Sequence, residues 1–252
     1  MKYDNCFNGS IDPELRMRRM SRALNATGRP MFFSVCEWGV NDPAAWAPAL
    51  ANSWRTTPDI ADNWMSIANS IIEQNQGKAG AARAGAWNDP DMLEVGNGGM
   101  THAEYRTHMS LWAIMKAPLL VGCDVRNMTA ATKELLLNAE VIAVNQDPLG
   151  VQGRRVKQLV DFDFGSLDIW AAPLASGDLA VVLSNMDMNT GKAHEITLVW
   201  EDIGLGAAEL ALVRDLWRHA ELGLHQGSFK VTVAAHDSVM LRVTPLAGRA
   251  VR

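Results

Sequence analysis

The sequence predicts two unlike regions in one chain: an α/β region over residues 1–152 and an all-β region over residues 153–252. Three observations carry this. Through the first 150 residues short apolar runs alternate with amphipathic stretches, as in strand and helix units around a parallel sheet. After about Gly153 the chain turns to short alternating segments between turn residues, the mark of an antiparallel β-sandwich. The composition, 48% hydrophobic and 20% charged over 252 residues, leaves room for one large core or two smaller ones.

In the α/β region the apolar runs lie around Lys2–Tyr3, Met31–Val35, Ala84–Trp87 and Pro118–Val121, and helices are expected over about Pro13–Leu24, Pro43–Ala51, Ile60–Gln76 and Ala103–Ala117. The last is the clearest: Tyr105, His108, Met109, Trp112 and Met115 follow at three- and four-residue steps behind Thr101, a capping residue type, which makes Trp112 a core residue. A further helix over Ala130–Asn138 precedes the apolar run Val141–Val144 and a turn signal at Asn145–Gly150. In the all-β region strands are expected over Ser166–Trp170, Leu179–Leu183, His194–Val199, Ala211–Leu216, Ser228–Val233 and Val239–Val243. A closed (β/α)8 barrel takes roughly 200 residues or more, so about five strands in this stretch make a partial barrel. Its first residues already read as a barrel strand ending in a carboxylate.

The net charge is −5, with Lys and Arg scattered, which gives no footprint for nucleic acid or anionic lipid and suits a neutral ligand. The apolar run around Leu119–Gly122 is broken by Lys116 and Asp124, far short of the roughly 20 residues of a membrane span. The first residues, Met1–Cys6, lack the three-part pattern of a signal peptide. Three cysteines, Cys6, Cys36 and Cys123, cannot all pair within one chain. The sequons at Asn8, Asn25 and Asn127 would matter only in a secretory compartment.

Asp4 stands where a predicted parallel strand gives way to its loop, the active end of barrel enzymes. Lys2, two residues earlier, points to the same side. A turn or cap role for Asp4 remains open at this point. Asp59, in a loop entering a predicted helix, is either the cap of the helix from Asn63 or a second functional carboxylate. Arg55 could pair with it or grip a hydroxyl. In Trp87–Met92 two carboxylates could hold a hard cation, but the segment lacks the glycine and final glutamate of a calcium loop. His102 and His108 are in no metal-ligand motif, and no metal site is expected.

Lys2–Cys6, Cys36–Gly39, Ser53–Ile60, Trp87–Leu93 and Asn145–Gly150, in that order, resemble the α-galactosidases (melibiases) of glycoside hydrolase family 27, and the Cys36–Glu37–Trp38–Gly39 wording is closer to the plant and algal members. The likeness runs from Lys2 to about Pro245. It implies the C-terminal part of a (β/α)8 barrel, about strands 4–8, followed by a β-sandwich. It implies a retaining hydrolase with no cofactor that removes terminal α-linked galactose from galactosides. Asp4 matches the nucleophile and Asp59 the acid/base, while Lys2, Arg55 and Asp91 match residues that hold the sugar hydroxyls. Cys36 and Trp38 match positions near the 2-hydroxyl, and Glu37, pointing away, is a weaker substrate-binding candidate. Asp59 is then expected to hold a proton through burial or a nearby negative charge.

The family's earlier half-barrel has no counterpart in this sequence, so Met1 is expected to be an internal methionine of a longer polypeptide. The resemblance implies a disulfide from Cys6 to that segment. It also implies a galactoside as partner, allows a homodimer, and points to a secreted, cell-wall, vacuolar or lysosomal setting. An α-N-acetylgalactosaminidase and an inactive sugar-binding remnant are the rival readings; Trp38 and Glu37 leave little room for an acetamido group.

Overall fold

The computed structural model describes residues 1–161, 165–188 and 191–246. The remaining positions of the expected all-β region, 162–164, 189–190 and 247–252, lie outside the described residues. Four parallel strands, β1 (Lys2–Asp4), β2 (Ser34–Cys36), β3 (Ser53–Arg55) and β4 (Trp87–Asp89), lie side by side in chain order. Each of the last three sits at or just beyond the C-terminal end of an apolar stretch, so the polar ends of the segments enter the ladder. The strand expected at Pro118–Val121 shrinks to a single parallel bridge between Val121 and Leu93. Leu93 there donates its N–H to the Leu120 carbonyl and accepts from Gly122, while the Leu120 N–H that would extend the pairing donates instead to the Pro118 carbonyl.

Helix α1 (Pro13–Ala26) starts where Asp12 accepts the Leu15 N–H, with proline as its first residue, the usual chemistry of a helix start. The helix expected over Pro43–Ala51 divides into α2 (Pro43–Trp46) and a 3-10 turn at Ala47–Ala49, since Pro48 supplies no donor. The stretch expected as one helix from Ile60 to Gln76 becomes helical only at Trp64, with a π-helical segment Ser66–Ile72 running into α3 (Glu73–Gln76). Asn63, not Asp59, accepts the Ser66 N–H at its start. Residues 60–62 are instead drawn to other loops: Asp91 accepts the Ile60 N–H, and Asp62 accepts from Gly99 N–H and the Tyr105 hydroxyl.

Helix α4 (His102–Ile114) has the expected Thr101 cap, completed by Glu104 as a capping box. Trp112 is fully buried in it. The next helix, α5 (Ala130–Leu136), stops short of the expected Asn138, whose side chain instead accepts from the Glu140 and Val141 N–H groups to start α6 (Ala139–Asn145), so the apolar run Val141–Val144 is helical.

The second region holds a six-stranded antiparallel sheet in the order β10-β9-β12-β7-β6-β5 and a two-stranded partner, β11-β8. The strands are β5 (Arg154–Asp161), β6 (Gly165–Pro173), β7 (Leu179–Asn185), β8 (His194–Val199), β9 (Leu210–Asp215), β10 (Ala220–Gln226), β11 (Ser228–Val233) and β12 (Ser238–Pro245). Alternation along β7 serves two cores: Val181 and Leu183 face the small sheet with Trp200 and Leu241, while Ala180 and Val182 face the helices with Trp112, Trp170 and Met240. A third core under the parallel sheet packs Met17, Val35 and Trp54.

Helix α4 is the seam between the regions. Arg106 makes two 2.8 Å bonds to Asp237, and the Ser110 hydroxyl meets Trp217 Nε1 and the Ser238 hydroxyl. Trp200 and Trp217 are core residues, and His236 stacks on Trp64 with its ring centroid 4.6 Å away. Cys6, Cys36 and Cys123 are free thiols, so the disulfide implied for Cys6 is not formed within this chain. Among the described residues no helix is long and apolar enough to cross a membrane.

Candidate active site

The last residues of the four parallel strands form one row. Asp4 is the register partner of Cys36 and Arg55 that of Asp89. The ladder between β2 and β3, one residue past the Val35–Trp54 pair, brings Cys36 beside Arg55, whose Nη1 lies 3.8 Å from the Cys36 sulfur. This is the sheet end at which barrel enzymes carry their chemistry.

Asp4 and Lys2 share a face, as the strand period requires, with Lys2 Nζ 3.6 Å from the Asp4 carboxylate. Burial pushes the Cys36 thiol up to about 12; the Arg55 charge opposes this and the bond to the Asp4 carboxylate adds to it. The thiol therefore stays protonated and is a donor to Asp4 rather than a competing nucleophile.

Arg55 organises the rest. Its side chain is 2% exposed and pairs with Asp59 at 3.1 Å and Asp91 at 2.8 Å. It also donates to the carbonyls of Thr57 and Pro58, so the loop after β3 curls around its own guanidinium. A buried guanidinium requires such neutralisation. Asp59 lies at the outer edge of the cluster with its side chain 72% exposed. The burial expected to favour its protonated form is absent, because the loop turns the carboxyl outward onto Arg55.

Lys2, Asp4, Cys36, Arg55, Asp59 and Asp91 are thus one connected set. Glu37 stands apart: it is 1% exposed, its Oε2 accepts the Asn41 N–H, and burial raises its pKa. Two residues after Cys36, Trp38 would share its face if the strand continued, but β2 ends at Cys36 and Trp38 takes φ +58°, half-buried in a turn. The turn lies tight against β3; at Gly39, φ +75°, a Cβ would fall 2.2 Å from the Thr56 carbonyl oxygen, so only glycine fits.

One residue absent from the sequence candidates belongs to the set. Asp89 is 3% exposed, and its Oδ1 accepts the Asp91 N–H at 2.9 Å. Loss of water pushes it up to about 6, against the pull of that N–H and of the Arg55 charge. The signal that picks out Asp4, a carboxylate closing a strand, is present at Asp89 as well.

A sequence profile described as Alpha galactosidase A matches residues 1–147. The chain belongs to the alpha-galactosidase A, or melibiase, family. A second profile, the alpha galactosidase C-terminal beta sandwich domain, matches residues 164–243. Within this family the chain is 52% identical over 246 residues to Alpha-galactosidase 3 of Arabidopsis thaliana, covering 97% of this chain and 55% of that protein. It is 50% identical over 245 residues to an Alpha-galactosidase of Cyamopsis tetragonoloba, covering 97% and 57%. The crystal structure of alpha-galactosidase I from Mortierella vinacea superposes with a TM-score of 0.85 at 36% identity, over 96% of this chain and 66% of that one. The chain thus spans little more than half the length of the two plant relatives. Its fold is that of the family, a part of the (β/α)8 barrel followed by the β-sandwich.

Proposed function

We propose that the polypeptide is a retaining α-galactosidase, with Asp4 as nucleophile and Asp59 as acid/base. The observation that carries this reading is the connection of the two carboxylates through one pair of side chains: Asp4 meets the Cys36 thiol, and Asp59 meets Arg55, which touches the same sulfur. Two acids flanking one small polar site suit double displacement, in which the carboxyl groups stand about 5 to 5.5 Å apart.

The ionised Asp4 attacks the anomeric carbon as the glycosidic C–O bond breaks and Asp59 gives its proton to the departing oxygen. Water then attacks the galactosyl ester, Asp59 takes the water's proton, and Asp4 leaves as carboxylate. A bound sugar would cover Asp59 and remove water that favours its charged form. Lys2, Arg55 and Asp91 offer charged partners for hydroxyl groups, and the family resemblance adds Cys36 and Trp38 near the 2-hydroxyl. The net charge of −5, with Lys and Arg scattered along the sequence, suits a neutral galactoside.

Hydrolysis of nitrophenyl α-galactoside followed by proton NMR tests both parts. The α-anomer of galactose is expected as first product. Initial release of the β-anomer would overturn the double displacement, and preference for nitrophenyl α-N-acetylgalactosaminide would overturn the substrate assignment.

A further inference from the structure

Asp59 can act on a glycosidic oxygen only if the loop carrying it is held still, and its own carboxylate is its exposed end. The neighbouring backbone is held from below. Asp91 Oδ2 accepts the Ile60 N–H at 2.9 Å while it pairs with Arg55 Nη2 at 2.8 Å. Asp91 makes both contacts from a backbone at φ +86°, a region that residues other than glycine rarely adopt and that costs on the order of 1–3 kcal/mol. Two bonds pin it there. Asp89 Oδ1 accepts the Asp91 N–H at 2.9 Å, and Trp112 Nε1 donates to the Asp91 carbonyl at 2.8 Å. Pro90, between the two acids, has no N–H to compete for the Asp89 carboxylate.

We propose that Asp89 is a positioning residue for Asp59: its buried carboxylate holds Asp91 in the left-handed turn, so that Asp91 clamps the Ile60 amide and fixes the loop that presents Asp59. This deepens the function proposed above and rests on it for the role of Asp59. A buried carboxylate is a poor choice for mere packing, since removal from water disfavours its charge. The charged groups facing Asp89 are Arg55, Asp91 and Lys2, and only the bond to the Asp91 amide has the geometry to set a backbone.

The test compares Asp89→Asn, which keeps an oxygen acceptor, with Asp89→Leu, which keeps the volume and loses it. Amide hydrogen exchange is read at Asp91 and Ile60, and turnover on methyl and dinitrophenyl α-galactosides. The Leu variant is expected to exchange both amides at least ~10-fold faster. It should lose on the order of 100-fold on the methyl galactoside, whose departure needs a proton, and much less on the dinitrophenyl galactoside, which leaves without one. The Asn variant should keep both protection and turnover. Asparagine tolerates positive φ, so adding Asp91→Asn to Asp89→Leu should recover Ile60 protection, and this double variant decides the matter if the Leu variant alone does not fold. Retained Ile60 protection in Asp89→Leu, equal losses on the two galactosides, or no recovery in the double variant would overturn the proposal. If the unsubstituted chain turns over neither galactoside, the functional reading fails and the exchange data alone decide the positioning.

Discussion

The strands of the parallel sheet are three residues long and end in Asp4, Cys36, Arg55 and Asp89, whereas those of the six-stranded sheet run from six to nine residues. The central strand β7 of the larger sheet buries Ala180, Val181, Val182 and Leu183 completely, on two faces. The first sheet places buried charge and thiol side by side and keeps them through mutual pairing; the second is held by apolar area, which is indifferent to charge. Polar chemistry is concentrated where a short strand stops, and stability is concentrated where chemistry is absent. The two regions should therefore fail in different ways when altered.

The largest difference is expected for Asp4→Asn. Turnover of an α-galactoside should fall by about 10⁴-fold or more, the scale seen when a central catalytic group is removed. Thermal unfolding should hardly move, because the Asp4–Lys2 pair is half-exposed at 3.6 Å and such pairs contribute about 0–1 kcal/mol. A large drop in melting temperature would erase the distinction between the regions. Leu241→Ala is the mirror experiment. Leu241 is fully buried in the core between the two antiparallel sheets, and its truncation should cost about 2–5 kcal/mol in urea unfolding, while KM for the folded protein stays unchanged.

Acid–base linkage sharpens the contrast. Asp89 is raised from 3.8 to about 6 by burial. Its folded form binds a proton more readily than its unfolded form, so its contribution to stability is fully present below pH 3.8 and is lost as pH rises through 6. Asp89→Asn has no such charge to bury. Relative to the unsubstituted protein it should gain stability between about pH 4 and 6, on the order of 3 kcal/mol, and hold that gain above pH 6. Urea midpoints measured across this range check it, and a pH-independent difference would count against burial as the cause. The smallest effect is expected at the seam: Asp237→Ala removes the two bonds to Arg106 and the bond to the Ser238 N–H, with a loss of about 1–2 kcal/mol.

The same contrast explains what could be read from the sequence. The central strands β7, β9 and β12 and the capped helix α4 stand out because burial forces a regular apolar pattern on them. In the all-β region the two strands absent from the sequence reading, β5 and β10, are the outer edges of the six-stranded sheet. Their sequences carry Arg154, Arg155 and Lys157 in one case and a register shift beside Gly223 in the other, as edges that must resist further pairing do. The helix from Ile60 was misplaced because its first residues bond to Asp91, Gly99 and Tyr105, contacts that local periodicity cannot register. Asp4, Arg55, Asp59 and Asp91 were legible as polar residues at strand ends or in the loops that follow. Asp89 was not singled out, since its partner is a backbone amide made available only by the left-handed turn at Asp91. Trp38 was placed by strand alternation that stops two residues too soon.

Capture of the glycosyl intermediate tests the central claim most directly. Incubation with a fluorinated galactosyl fluoride, followed by proteolysis and mass spectrometry, should find one galactosyl group esterified to Asp4 and none in Asp4→Asn. A label on Asp59 or any other carboxylate would contradict the assignment of the nucleophile.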